Sequence, residues 1–124
     1  MAIELQNDFV TLTIGDDGRN LGFVDRATGI DYLDGETVSH FALARQGDVT
    51  TSATAATQDD GDIALSFREL GVSVSVRVDT FPSYFVFTVT DVSGDIDELV
   101  FVNIPTTLRV IADEPFSAGT LALN

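Results

Sequence analysis

Few side chains in this chain have the types and spacing that chemistry requires. His40 is the single histidine. Nucleophilic catalysis of the Ser-His-Asp kind would need it beside a serine and an orienting acid, and no G-x-S-x-G elbow occurs. A lone histidine at the start of a strand reads as structural. Carboxylates are plentiful, but they gather in turn-like runs: Asp16 with Asp17, Asp59 with Asp60 and Asp62, and Asp95 with Asp97 and Glu98. Glycosidic chemistry needs two carboxyls facing one another across a cleft with their pKa values pushed apart. Neighbouring turn acids are solvated, so the turn reading is preferred over an acid/base pair. Calcium suits such clusters better, because it takes carboxylates and carbonyls from loops. Asp59, Asp60 and Asp62 are the candidate ligands, although the run lacks the full D-x-D-x-D-G pattern with its distal Glu. No other cofactor is expected.

Flat rings offer a different chemistry, since the C–H face of a sugar can stack on them. The chain has nine Phe, two Tyr and no Trp. Most Phe fall on apolar strand faces and are expected in the core. Tyr84 falls on the outward face, next to Arg77 and Asp79. The three make either a small polar platform for carbohydrate or an ordinary solvated sheet face, with an Arg–Asp pair worth well under about 1 kcal/mol. Tyr32 is a second candidate and fits a core position equally well, since Ile30 shares its parity.

These residues must be positioned by strands. Val10, Leu12 and Ile14 alternate with Thr11 and Thr13, which is the period of a strand with one buried face. Gly15 to Asn20 turns the chain, and Leu21 to Asp25 returns. Pairing Ile14 with Leu21 would bring Leu12 opposite Phe23. Arg26 to Gly29 is a second turn, and Ile30 to Leu33 a short strand. Ile3 and Leu5 flank Glu4 in a leading strand that Asn7-Asp8 ends. Phe41, Leu43 and Arg45 alternate with Ala42 and Ala44. Thr50 to Gln58 reads as an exposed or edge strand, because its Thr residues outweigh its Ala content. Ile63, Leu65 and Phe67 follow the turn at Asp59 to Asp62.

Val72, Val74, Val76 and Val78 then share one face of the cleanest strand. A four-residue loop, Thr80 to Ser83, would pair Asp79 with Tyr84. That register sets Val78 against Phe85, Val76 against Phe87 and Val74 against Val89. Leu99 to Ile104 does not alternate, so both of its faces are expected to be covered. Further strands are expected around Leu108 to Val110 and Gly119 to Leu123. Nine to eleven short strands at roughly 8–12-residue spacing predict an all-β, antiparallel β-sandwich.

Composition sets the exclusions. The length fits one domain with one core. There is no cysteine, hence no disulfide or thiolate metal site. Twenty acids stand against six bases, every one of them Arg, for a net charge of -14. Nucleic-acid binding needs a basic footprint, and an anionic membrane would repel this chain. The charge serves solubility, with salty surroundings as one setting, and turn chemistry. No segment has the roughly 18 apolar residues of a membrane helix. The start lacks the basic and apolar regions of a signal peptide. The apolar run Leu121 to Leu123 at the end leads us to expect a module, residues 1–124, cut from a longer chain.

Asn7-Asp8-Phe9-Val10-Thr11-Leu12, a Gly turn, and then Asp25-Arg26-Ala27-Thr28-Gly29-Ile30-Asp31-Tyr32 resemble an opening found in some large carbohydrate-active enzymes. There a β-domain of the galactose-mutarotase-like supersandwich type begins with N-x-x-(V/L)-x-(V/L), a turn, and D-(K/R)-x-T-G-x-(E/D)-(Y/F). Ile96 to Phe101 and Ala118 to Leu121 are similar in style. The resembling part covers about a quarter of the chain, which is shorter than a full supersandwich. The resemblance implies a non-catalytic module of a glycoside hydrolase or related enzyme. Its partners would be carbohydrate or an adjacent catalytic domain, and its place extracellular or periplasmic. The alternative is a structural or adhesive domain that meets other proteins. No catalytic residue carries over on either reading.

Overall fold

The computed structural model describes residues 2–34, 36 and 38–104. Ten strands occur among them: β1 (Ile3–Gln6), β2 (Val10–Ile14), β3 (Asn20–Asp25), β4 (Ala42–Gln46), β5 (Val49–Ser52), β6 (Ala55–Asp59), β7 (Asp62–Phe67), β8 (Val72–Phe81), β9 (Tyr84–Ser93) and β10 (Glu98–Phe101). One 3₁₀ turn, Arg68–Leu70, links β7 to β8 and ends at Gly71 in the left-handed region. No helix among the described residues is long and apolar enough to cross a membrane. The strands form three antiparallel sheets, ordered β1-β2-β3, β10-β4-β5 and β6-β7-β8-β9. The fold is therefore all-β and sandwich-like, as the alternation predicts. The expected strands around Leu108 to Val110 and Gly119 to Leu123 lie outside the described residues.

All three sheets feed one core. Ile3, Leu5, Leu12 and Ile14 enter from the first, Ala42 and Ala44 from the second, and Ile63, Leu65, Phe67, Val72, Val74 and Val76 from the third. Burying a Val, Leu, Ile or Phe side chain contributes roughly 1.5–3 kcal/mol each, which is the main force holding the sheets together. Phe41 is fully buried just before β4. Its ring meets Phe87 of β9 at 5.7 Å, joining the second sheet to the third.

Several expected pairings change. Leu12 does oppose Phe23, but Ile14 opposes Asn20 rather than Leu21. A bulge there leaves Leu21 unpaired and exposed. Ile30 to Leu33 forms no strand; its link to β3 includes an isolated bridge between Val24 and Asp31. In β4 the alanines point inward, while Leu43 and Arg45 are only half-buried. Small residues suit that face because Leu99 and Phe101 of β10 stand opposite Ala44 and Ala42. β10 itself alternates, and Val100 remains 40% exposed. The expected two-sided cover over this strand is thus corrected.

The segment Thr50 to Gln58 is two strands, not one. Ala53 N–H donates to Ala42 O, and the next residue, Thr54, donates to Ser66 O. The chain leaves β4 and joins β7 between two adjacent residues. Both halves are sheet edges, as expected. The loop between β2 and β3 packs against this corner. Ala56 N–H donates to Asp16 O. Gly18, at φ +84°, brings its Cα so close that an added Cβ would lie 3.0 Å from Ala53 O.

Two outcomes follow from this loop. Gly18→Ala should destabilise by about 1–3 kcal/mol beyond the backbone penalty, because backbone blocks its Cβ. Gly61→Ala, at φ +88° with open space around it, should cost only the left-handed penalty of about 1–2 kcal/mol. Urea midpoints of the two variants compare them. In the same loop Asp17 is held below the ordinary carboxylate pKa, first by the backbone N–H of Arg19 and then by its guanidinium. A depressed folded pKa stabilises above the unfolded value and loses that stabilisation as pH falls through the folded value. Asp17→Asn should therefore lower the urea midpoint at neutral pH and lose less than the parent on acidification below about pH 4.

Candidate functional site

The β8–β9 hairpin carries the residues singled out as a carbohydrate platform. Its turn is the two residues Pro82 and Ser83, because Phe81 pairs directly with Tyr84. Pro82 cannot take positive φ, and it pushes Phe81 toward an extended conformation, so the strands run to the tip. The expected four-residue loop is corrected, and the register moves by two: Val78 opposes Phe87, Val76 opposes Val89, and Val74 opposes Val92 beyond a bulge. Between the tip and the bulge a slip of two residues keeps each side chain on its original face, so alternation could not distinguish the two registers there.

The outward face reads, from the tip inward, Phe81 opposite Tyr84, Asp79 opposite Val86, and Arg77 opposite Thr88. Tyr84 is 52% exposed and Phe81 39%. Their rings stack at 4.6 Å with planes 18° apart. Cross-strand aromatic pairs of this kind hold a hairpin by roughly 0.5–1 kcal/mol. The stack occupies one face of each ring, and Tyr84 as a whole stays about half exposed. Asp8 N–H donates to Pro82 O at 3.0 Å, fastening the tip to the β1–β2 turn.

Tyr84, Asp79 and Arg77 thus share one face as expected, but the immediate neighbour of Tyr84 is Phe81. The sequence hides that partner, because a four-residue loop from Thr80 to Ser83 places Phe81 outside the strands. Among the described residues no ion pair joins Arg77 to Asp79. Tyr32 is elsewhere and only 7% exposed, with its N–H donating to Phe23 O. It is a core residue and not a surface platform. Its parity mate Ile30 is exposed, since the strand expected over Ile30 to Leu33 does not form.

The remaining candidates separate. Asp59 and Asp62 pair across the β6–β7 hairpin, with Asp60 at φ 50° and Gly61 at φ 88° between them. Two positive-φ residues make a type I′ turn, the geometry Asp-Gly favours. No group of three or more His, Cys, Asp or Glu able to hold a metal ion occurs among the described residues. His40 is half-buried and bridges Arg19 through the backbone. Its carbonyl accepts from Asn103 Nδ2, and the neighbouring Ser39 Oγ accepts from Asn20 Nδ2. Both residues sit in a structural seam, which Asn20 Nδ2 closes by donating to Asn103 O at 2.7 Å.

The motif behind the family resemblance has a local physical account. Asn7 Oδ1 accepts from the N–H groups of Phe9 and Val10. The two carboxylate oxygens of Asp25 accept from Ala27 N–H and Thr28 Oγ1, and its carbonyl accepts from Gly29 N–H. Gly29 supplies the positive φ, at 75°. Asp31 Oδ1 accepts from the N–H groups of Phe23 and Leu33. Each polar residue of the pattern closes a turn, which is the use short polar side chains have at such places. Arg26 Nη1 adds a bond to Asn7 O at 2.6 Å.

No protein-family model, curated protein or solved structure matches the chain.

Asp25 is buried with both carboxylate oxygens engaged. Asp25→Ala should cost about 1–3 kcal/mol, since it leaves donors without their acceptor. Thr28→Val, which removes one of those bonds, should cost less. Chemical denaturation of both variants gives the order.

Proposed function

We propose that this chain is a non-catalytic, carbohydrate-associated β-sandwich module, and that the outward face of the β8–β9 hairpin meets the sugar. One observation carries the reading: Tyr84 is stacked on Phe81, half exposed, and fastened at the hairpin tip. An exposed aromatic ring held in place by a stacked neighbour can offer a pyranose an apolar contact without first having to be ordered. Asp79 and Thr88, with the guanidinium of Arg77, offer hydroxyl acceptors and donors further along the same face. The likeness of residues 7–12 and 25–32 to the opening of supersandwich domains supports the same reading. On this proposal the module binds glycan, or packs beside the catalytic domain of a glycan-processing enzyme, and does no chemistry itself.

A second reading, a domain that adheres to other proteins, is favoured by apolar side chains exposed away from the ring pair. Phe9 is 54% exposed near the same end, where Asp8 meets the hairpin turn, and Val100 stands on a separate sheet. Exposed apolar patches are a common feature of protein interfaces.

Affinity electrophoresis through gels containing soluble polysaccharides separates the two. The carbohydrate reading expects retardation on at least one polysaccharide. Tyr84→Ala should weaken it about three- to tenfold, the equivalent of losing one aromatic contact, with an unchanged circular dichroism spectrum. Free migration in every gel, or retention that ignores the Tyr84 substitution, would favour the adhesive reading.

A further inference from the structure

We infer that the fold depends on a diffuse atmosphere of counter-cations, so that its stability rises with ionic strength over the millimolar range. The net charge of -14 is the starting point, and the structure shows how little of it is neutralised internally. Among the described residues, Arg19 pairs with Asp17, while Arg45 lies 3.8 Å from Asp97 and 4.0 Å from Glu98. Arg26 donates to the carbonyl of Asn7. Three acids are therefore served by two arginines in these pairs.

Other carboxylates are placed where they repel. Asp59 and Asp62 are direct cross-strand partners, with Asp60 in the turn between them. Like charges opposite one another weaken a strand pair. A second acidic neighbourhood forms where the β4–β5 turn meets the start of β10. There Gln46 Nε2 donates to Asp95 O and Gly47 N–H to Asp97 Oδ2. These bonds hold the β4–β5 turn beside Asp95 and Asp97, and Arg45 is the cation that pairs with Asp97 and Glu98. Backbone pairing and turn geometry hold these acids together, so the repulsion is built into the folded state and relaxes when the chain opens.

Length scales decide how the repulsion is relieved. A chain of this size has a radius of gyration of about 14 Å. The Debye length is about 30 Å at 0.01 M salt and about 8 Å at 0.15 M. At low salt every carboxylate thus feels all the others across the molecule. Near physiological ionic strength only neighbours interact. The relief needs screening and no coordinated ion, so any monovalent cation should supply it.

The test is thermal melting of the full chain at neutral pH, followed by circular dichroism, in KCl and in choline chloride from about 10 mM to about 300 mM. The melting temperature should climb by about 5 °C or more in both salts. The double variant Asp59→Asn, Asp62→Asn should melt higher than the parent at the lowest salt and show a smaller climb. A flat or falling melting temperature would overturn the inference. So would a rise in KCl without one in choline chloride, which would point to a specific ion site.

Discussion

The arrangement depends on a handover of backbone hydrogen bonds between Ala53 and Thr54. Ala53 completes the ladder to β4, and Thr54 opens the ladder to β7. Thr54 secures the switch with its side chain: Oγ1 donates to Ser66 O and accepts from Arg68 N–H. The first sheet reaches the same corner through Asp16 O and the bare Cα of Gly18. All three sheets therefore converge within a few residues. A strand that changes sheet avoids leaving buried backbone groups unpaired, which would cost more than most side-chain contacts supply. The small residues Gly18, Ala53 and Ala56 are there because a larger side chain would hold the backbones apart.

Outside the core, short polar side chains do most of the organising. Asn7, Asn20 and Asp25 are the buried polar residues among those described, and each bonds backbone or side-chain groups at a turn or seam. The family-like stretch is therefore a folding feature first: it shapes the entry to β2 and the exit from β3. Short polar residues at such turns are favoured by local backbone geometry, whatever a protein's activity. The functional proposal accordingly draws its main support from the hairpin tip, where an exposed ring pair lies on a fixed ribbon. That pair has a structural use as well, since it closes the hairpin.

The candidate site was partly legible beforehand. Alternation along β8 and β9 placed Tyr84, Asp79 and Arg77 on one face, and they do share it. It could not place Phe81 beside Tyr84, because the length of the turn sets that contact. Tyr32 shows the opposite failure. Strand parity gave it no definite side, and the structure buries it while Ile30 is exposed. The acids of the β6–β7 turn suit turn positions in the sequence, and the I′ geometry places them there.

What the amino-acid order determined alone is the local part. It set which residues prefer extended backbone, which face of each strand is apolar and where Gly, Asn and Asp break the chain. It therefore also determined the all-β class. These properties depend on neighbours in sequence. Tertiary structure alone decided the register of β8 on β9, the inward turn of the alanines in β4, the split at Ala53–Thr54 and the burial of Tyr32. Each of these compares alternatives that look the same within a strand and differ only in what lies across from it, often many residues away.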